Sequence, residues 1–220
     1  MKYIISIEGN IGSGKSTLIN LLKEYSLNNV IYLPEPVDTW NQIKDSNGIT
    51  ILEKYYQDSK RYAFPFQMMA YITRLSLIRK AIDTAPDNSI ILTERSIYTD
   101  REIFAKMLYD SGKIEDIEYS IYLRWFEEFS ESKLDGIIYV QTTPDTCVHR
   151  IEKRNRKGEE SIPLEYLSEC HRYHENWINS TTTRTLFLDG QPEQSMETAV
   201  KINDFLDFFQ QNSRCPSQFN

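Results

Sequence analysis

Nine consecutive residues near the start of the chain, Gly9, Asn10, Ile11, Gly12, Ser13, Gly14, Lys15, Ser16 and Thr17, have the types and order needed to hold a polyphosphate. They follow the apolar run Tyr3 to Ile7 and fit the pattern of a strand, Gly-x-x-x-x-Gly-Lys-Ser/Thr, then a helix. Glycine permits positive φ and close backbone approach. The loop amides and the N-terminus of the next helix can therefore turn inward around an anion. Lys15 would reach the terminal phosphates, and the Ser16 hydroxyl would join a Mg²⁺ shell. A plain glycine-rich turn accounts for the glycines but not for the Lys-Ser step directly after Gly14.

Other residues could complete a phosphate-transfer site. Glu35 stands between Pro34 and Pro36, and placed beyond the carboxyl end of a parallel strand next to the first it would face the crevice where α/β sheets bind ligands. Gln67, Ala70 and Arg74 are three and four apart on an apolar helix that also carries Phe66, so they project on one side. Glu94 follows an apolar strand, where an acid could complete a Mg²⁺ site, and Arg95 beside it could offset phosphate charge. Arg150 and Arg154 lie one helical turn apart, with Arg156 just beyond. In a chain that already owns a phosphate loop they suit a lid, over about 150–161, that closes on nucleotide phosphates and excludes water. His171 and His174 lack further metal ligands and read as solvated helix surface, so no zinc is expected.

These residues need a scaffold, and the chain supplies strands and helices in alternation. Strands are expected at residues 3–7, 30–33, 89–93, 136–140 and 185–188. Helices are expected at 16–25, in two short polar pieces within 41–60, at 61–85, from Asp100, and at 115–131, from 144 into the lid, 164–177 and 196–209. Strand-helix alternation makes a parallel sheet of about five strands with helices on both faces, a three-layer α/β fold of the phosphate-loop type. One domain over 1–209 with a loose tail at 210–220 accounts for 220 residues. A net charge of −7 argues against nucleic-acid binding. No apolar run approaches the length of a membrane span and no leader precedes the first strand, so a cytoplasmic protein is expected. Three widely spaced cysteines, Cys147, Cys170 and Cys215, fit reduced thiols.

Taken together, the sequence resembles the deoxynucleoside kinases of the deoxycytidine, deoxyguanosine and insect multisubstrate type. The resemblance runs from Ile4 to about Trp177. It is carried by Ile7 to Thr17, Pro34-Glu35-Pro36-Val37 with Trp40, Phe66-Gln67, Glu94-Arg95-Ser96 with Asp100-Arg101, and Arg150 to Arg156 before Glu159-Glu160 and Pro163-Leu164-Glu165-Tyr166. It implies transfer of the ATP γ-phosphate to a nucleoside 5′-hydroxyl in nucleotide salvage. Glu35 would be the general base, Arg95 would lie beside the same oxygen, and Gln67 would pair with the base edge. Trp40, Leu52, Phe66 and Phe104 would line the base pocket, Tyr56 with Glu160 would hold the 3′-hydroxyl, and Arg150, Arg154 and Arg156 would contact the donor phosphates. The lid carries an extra residue relative to the family, which leaves Glu159 as the alternative to Glu160. Ala70, Arg74 and Asp100 look like the deoxycytidine and deoxyguanosine kinases, favouring deoxycytidine and purine deoxynucleosides over thymidine. Relatives form homodimers through two helices and are inhibited by deoxynucleoside triphosphates, so both are expected here. Two other readings are a thymidylate kinase, against which Val37 stands where that family has glycine, and a non-catalytic kinase-like accessory subunit, against which the chain keeps Lys15, Glu35, Arg95 and Arg154.

Overall fold

A computed structural model of the chain describes residues 1–25, 27–130, 133–155, 162–192 and 195–212. The strands β1 (Tyr3–Glu8), β2 (Val30–Leu33), β3 (Ile90–Glu94), β4 (Gly136–Gln141) and β5 (Arg184–Asp189) form one sheet in the order β2-β3-β1-β4-β5. Every pairing is parallel. Their near-continuous β-branched and leucine content suits strands covered on both faces.

Alternation along β1 shows how two layers are fed. Ile5 and Ile7 share one face and pack with Leu18 and Leu22 of α1 (Lys15–Tyr25) and with Ile202 and Leu206 of α10 (Met196–Asn212). Ile4 points the other way, to Tyr71 and Leu75 of α4 (Ser59–Thr84) and to Tyr122 and Phe126 of α7 (Asp116–Phe129). Each such side chain, wholly buried, contributes roughly 1.5–3 kcal/mol of transfer free energy. On the open side of α7, Ile117, Ile121 and Trp125 remain exposed.

Several expectations are corrected. The neighbour of β1 is β3, so β3 lies between β1 and the strand that leads to Glu35. Residues 41–60 are not two polar helices broken at Asn47-Gly48. Instead α2 (Val37–Gln42) starts directly after Pro36, and a turn at Gly48 is closed by a Lys44–Thr50 antiparallel bridge. α3 (Ile51–Gln57) then starts where Thr50 and Glu53 form a reciprocal capping box. α4 begins two residues earlier than its apolar pattern suggests because the Asp58 carboxylate caps Arg61 N. The helix expected from Asp100 is three pieces: a turn α5 (Ile97–Thr99), a π-helical stretch Asp100–Ala105, and α6 (Lys106–Asp110). π-Helical turns concentrate at functional positions. α8 (Pro144–Arg154) ends on Asn155 in the left-handed region, and α9 (Leu164–Ser180) follows. α10 continues through Gln210 and Gln211, past the expected boundary at 209; residues 213–220 lie outside the described residues.

Candidate active site

The carboxyl edge of the sheet brings together the loop after β1, Glu35 after β2, and Glu94 and Arg95 at the end of β3. They border one open cleft of about 920 Å³, lined also by Trp40, Leu52, Tyr56, Phe66, Gln67, Ala70, Arg74, Asp100 and Phe104.

At its donor end the loop is built from backbone. Gly9, Gly12 and Gly14 have φ of 145°, 78° and 100°. A Cβ on Gly12 would lie 2.6 Å from the Cys147 carbonyl oxygen, and one on Gly9 would lie 2.6 Å from that of Val140, so neither position accepts a side chain. Asn10 braces the loop from behind: its Nδ2 donates to Leu167 O at 2.8 Å, and its Oδ1 accepts from Ile11 N at 2.8 Å. Gly9, Asn10 and Ser13 thus frame the loop, whereas Ile11, Gly12, Gly14, Lys15, Ser16 and Thr17 face the cleft. The Lys15 ammonium donates to the carbonyls of Gly9 (3.1 Å) and Asn10 (2.7 Å). Burial lowers its pKa to about 8, Arg95 adds to the drop, and Glu94 and Glu35 oppose it.

Phosphate and Mg²⁺ fit this end. Ser16 Oγ donates to Glu94 Oε1 at 2.8 Å, which sets two hard oxygen donors side by side at the mouth of the loop. Among the described residues no group of three His, Cys, Asp or Glu could cage a metal. The two oxygen ligands on Ser16 and Glu94 match the preference of a hard cation such as Mg²⁺, which they would hold.

The acceptor end is built from side chains. Arg95 Nη1 donates to Glu35 Oε1 at 2.5 Å, and Arg74 Nη2 reaches the same oxygen at 3.2 Å. Arg74 also donates through Nε to Asp100 Oδ2 at 3.0 Å and through Nη1 to Glu94 O at 2.7 Å. Arg74 and Asp100 are each only 2% exposed. Burial on its own would raise the Glu35 carboxyl, but Arg95, Arg74 and Lys15 together hold it down at about 2. Burial raises the Asp100 carboxyl against the opposing pull of Arg74. Burial on its own would lower the pKa of Arg95, but Glu35, Glu94 and Glu8 together raise it, so Arg95 stays cationic. Its guanidinium lies over the Phe104 ring, 5.1 Å from the centroid.

Three buried polar atoms lining this pocket have no partner among the described residues: Gln67 Oε1, Arg95 Nε and Arg95 Nη2. Buried donors and acceptors are ordinarily satisfied, so these are positions where a ligand would supply the missing bonds. Trp40 is held by a bond from Nε1 to Thr73 Oγ1 at 2.9 Å and packs edge-on against Phe66.

Not every expected residue lands in the cleft by the expected route. Arg150 donates to Ser13 O (3.2 Å) and Gln191 O (3.0 Å), pinning α8 to the loop. Arg150 and Arg154 both line the cleft, while Arg156, Glu159 and Glu160 lie outside the described residues. His174 is wholly buried rather than on a solvated face. It donates Nδ1–H to Cys170 O at 2.7 Å, and burial lowers its pKa to about 3. Sequence reasoning missed Tyr55 and Tyr166, both of which line the cleft and join hydroxyls at 3.0 Å. Tyr166 belongs to the Pro163-Leu164-Glu165-Tyr166 motif, whereas nothing in the residues around Tyr55 directs it to the cleft.

A family model described as deoxynucleoside kinase matches residues 5–213. The chain is 38% identical to deoxycytidine kinase of Homo sapiens over 94% of its own length and 86% of the relative's. It is 39% identical to deoxycytidine kinase 2 of Gallus gallus, over 83% of this chain and 76% of the relative. It is 31% identical to the mitochondrial deoxyguanosine kinase of Xenopus laevis, over 98% of this chain and 86% of the relative.

Proposed function

The chain belongs to the deoxynucleoside kinase family, an ATP-dependent phosphotransferase of that class, and from that premise we propose the roles of its site residues and its choice of substrate. Glu35 accepts the proton of the nucleoside 5′-hydroxyl as that oxygen attacks the γ-phosphorus and the bond to the ADP oxygen breaks. The observation that carries this reading is the Glu35 carboxylate, fixed by Arg95 and Arg74 in a cleft shared with Lys15.

Phosphoryl transfer depends more on positioning and charge than on covalent chemistry. Held ionised, Glu35 orients the hydroxyl and takes its proton late. Lys15 and the donors left open on Arg95 face charge that develops on the transferring phosphoryl. Ser16 and Glu94 would hold Mg²⁺, which would supply positive charge to neutralise the donor phosphates. Gln67, through its unpartnered Oε1, meets the base edge; Trp40, Leu52, Phe66 and Phe104 wall the base; Tyr56 and Glu160, or Glu159, hold the 3′-hydroxyl.

Deoxycytidine and purine deoxynucleosides are favoured over thymidine. The Arg74–Asp100 pair presents fixed donors and acceptors in a dry pocket, where a base that cannot meet them leaves them unpaired. The family match over 5–213 supports a single kinase unit over 1–209, and Arg150 and Arg154 lining the cleft support an arginine-rich lid at about 150–161. A homodimer is supported by the exposed Ile72 on α4 and by Ile117, Ile121 and Trp125 on α7, and the mass of the purified chain in solution reads this directly. Feedback inhibition by a deoxynucleoside triphosphate is supported by a cleft that runs unbroken from phosphate loop to base pocket. A cytoplasmic location is part of this reading; among the described residues no helix is long and apolar enough to cross a membrane.

The test is Glu35→Gln assayed with ATP, Mg²⁺ and deoxycytidine. Deoxycytidine binding should persist while kcat falls about 10²–10⁴-fold, the range of general-base help. A variant with near-native kcat would remove Glu35 from the role.

A further inference from the structure

Glu8 closes β1, directly before Gly9, and is fully buried. Its Oε1 accepts from Ser96 Oγ at 2.9 Å and its Oε2 from Thr99 Oγ1 at 2.5 Å. Those two hydroxyls also cap one another's backbone: Thr99 Oγ1 accepts from Ser96 N at 3.0 Å, and Ser96 Oγ from Thr99 N at 3.3 Å. Burial raises the Glu8 carboxyl from its ordinary value, with the Thr99 hydroxyl acting the other way. Placing a carboxylate in a dry interior on hydroxyl partners works against stability, and an apolar side chain of that size would serve the fold better. Its presence calls for another explanation.

The backbone next to this clamp supplies one. Arg95 sits at φ +59°, a region that a residue with a side chain adopts only when its surroundings enforce it. Two further bonds fix it there: its N–H donates to Ile7 O at 3.0 Å, and its carbonyl accepts from Thr93 Oγ1 at 2.9 Å. The clamp secures the residue immediately after the strained one, and it does so from the residue immediately before the phosphate loop. Glu8 thus joins the donor loop and the Arg95 corner through a single side chain.

We propose that Glu8 is a positioning residue for phosphoryl transfer: by gripping Ser96 and Thr99 it holds Arg95 in the left-handed conformation that delivers its guanidinium to Glu35 and to the transferring phosphate. The proposal rests on the site roles given above.

The experiment is a double-mutant cycle on the full chain with ATP, Mg²⁺ and deoxycytidine, using Glu8→Met, Arg95→Ala and the pair. Glu8→Met should lower kcat by about 10²-fold, the effect of misplacing a catalytic group by an ångström, with the nucleoside KM within about threefold of native. Its Tm should be native or higher. In the Arg95→Ala background the same substitution should lower kcat no further. An equal fold-loss in both backgrounds, or native kcat for Glu8→Met while Arg95→Ala is crippled, overturns the proposal and leaves the site roles standing. Native kcat for Arg95→Ala overturns both. Should Glu8→Met fail to fold, Thr99→Val removes the clamp from its other side and runs through the same cycle with the same outcomes.

Discussion

The two ends of the cleft hold negative charge by different means. At the donor end, residues 9–17 form an anion cradle from one contiguous run, and most of its recognition is backbone. At the acceptor end Glu35, Arg74, Arg95 and Asp100 come from three separate segments and present side chains alone. The first is shaped by what glycine permits. The second is shaped by a charge network, two cations against two anions, that balances only when the segments beyond β2 and β3 and the middle of α4 are docked. A backbone cradle binds any polyphosphate of the right size, whereas a side-chain network can discriminate among bases. On the proposed roles, generality and selectivity would be housed at opposite ends of one pocket.

Substitutions on each side should separate these properties. The largest effect belongs to Gly12→Ala, whose Cβ would meet the Cys147 carbonyl oxygen at 2.6 Å from a backbone at φ +78°. The clash and the left-handed strain together should cost about 2–4 kcal/mol of stability. Turnover should fall by at least 10²-fold with every nucleoside alike, since misplacing a catalytic group has effects of about that size. Selective loss with one base would mean that the donor end takes part in base choice. Next is Arg74→Met, which removes the partner of Asp100. Here kcat/KM for deoxycytidine should fall on the order of 10²-fold relative to thymidine, because Asp100 is left buried and unpaired against the preferred base. An equal fall for both nucleosides would place selectivity elsewhere.

The smallest effect concerns the ground beneath both ends. His174 stacks against Tyr139 of β4 and is neutral in the folded protein, with its pKa lowered to about 3 from 6.5. The folded chain therefore binds fewer protons than the unfolded one. The stability tied to this residue is complete above pH 6.5 and is lost as pH falls toward 3. Between pH 7 and pH 5 the loss should be about 2 kcal/mol, and thermal unfolding of His174→Leu should show correspondingly less dependence over that window. Parallel pH curves for the two proteins would show that the imidazole is not the titrating group.

The same contrast explains what could be read from the sequence. The loop was legible because its residues are adjacent and every one of them answers to one ligand. Glu35 was legible because two prolines frame it, and Glu94 because a strand delivers it. What escaped depends on order in space. Nothing in the residues of β2 says that β3 intervenes before β1, since both read as short buried runs. His174 looked solvated because its helix carries polar residues on either side, while burial was decided by β4 beneath it. The Tyr55–Tyr166 hydroxyl pair joins residues 111 apart, and Glu8 stood in plain sight inside the motif with its partners Ser96 and Thr99 on another strand's exit.

Arg74 has a consequence for how errors are rejected. One guanidinium grips both Asp100, the proposed sensor of the base, and Oε1 of Glu35, the proposed proton acceptor. A poorly matched nucleoside that drags on this side chain disturbs the proton acceptor along with the base pocket. On those proposed roles, mistakes should be penalised in speed as well as in occupancy, so that even a saturating excess of the wrong substrate would be processed slowly.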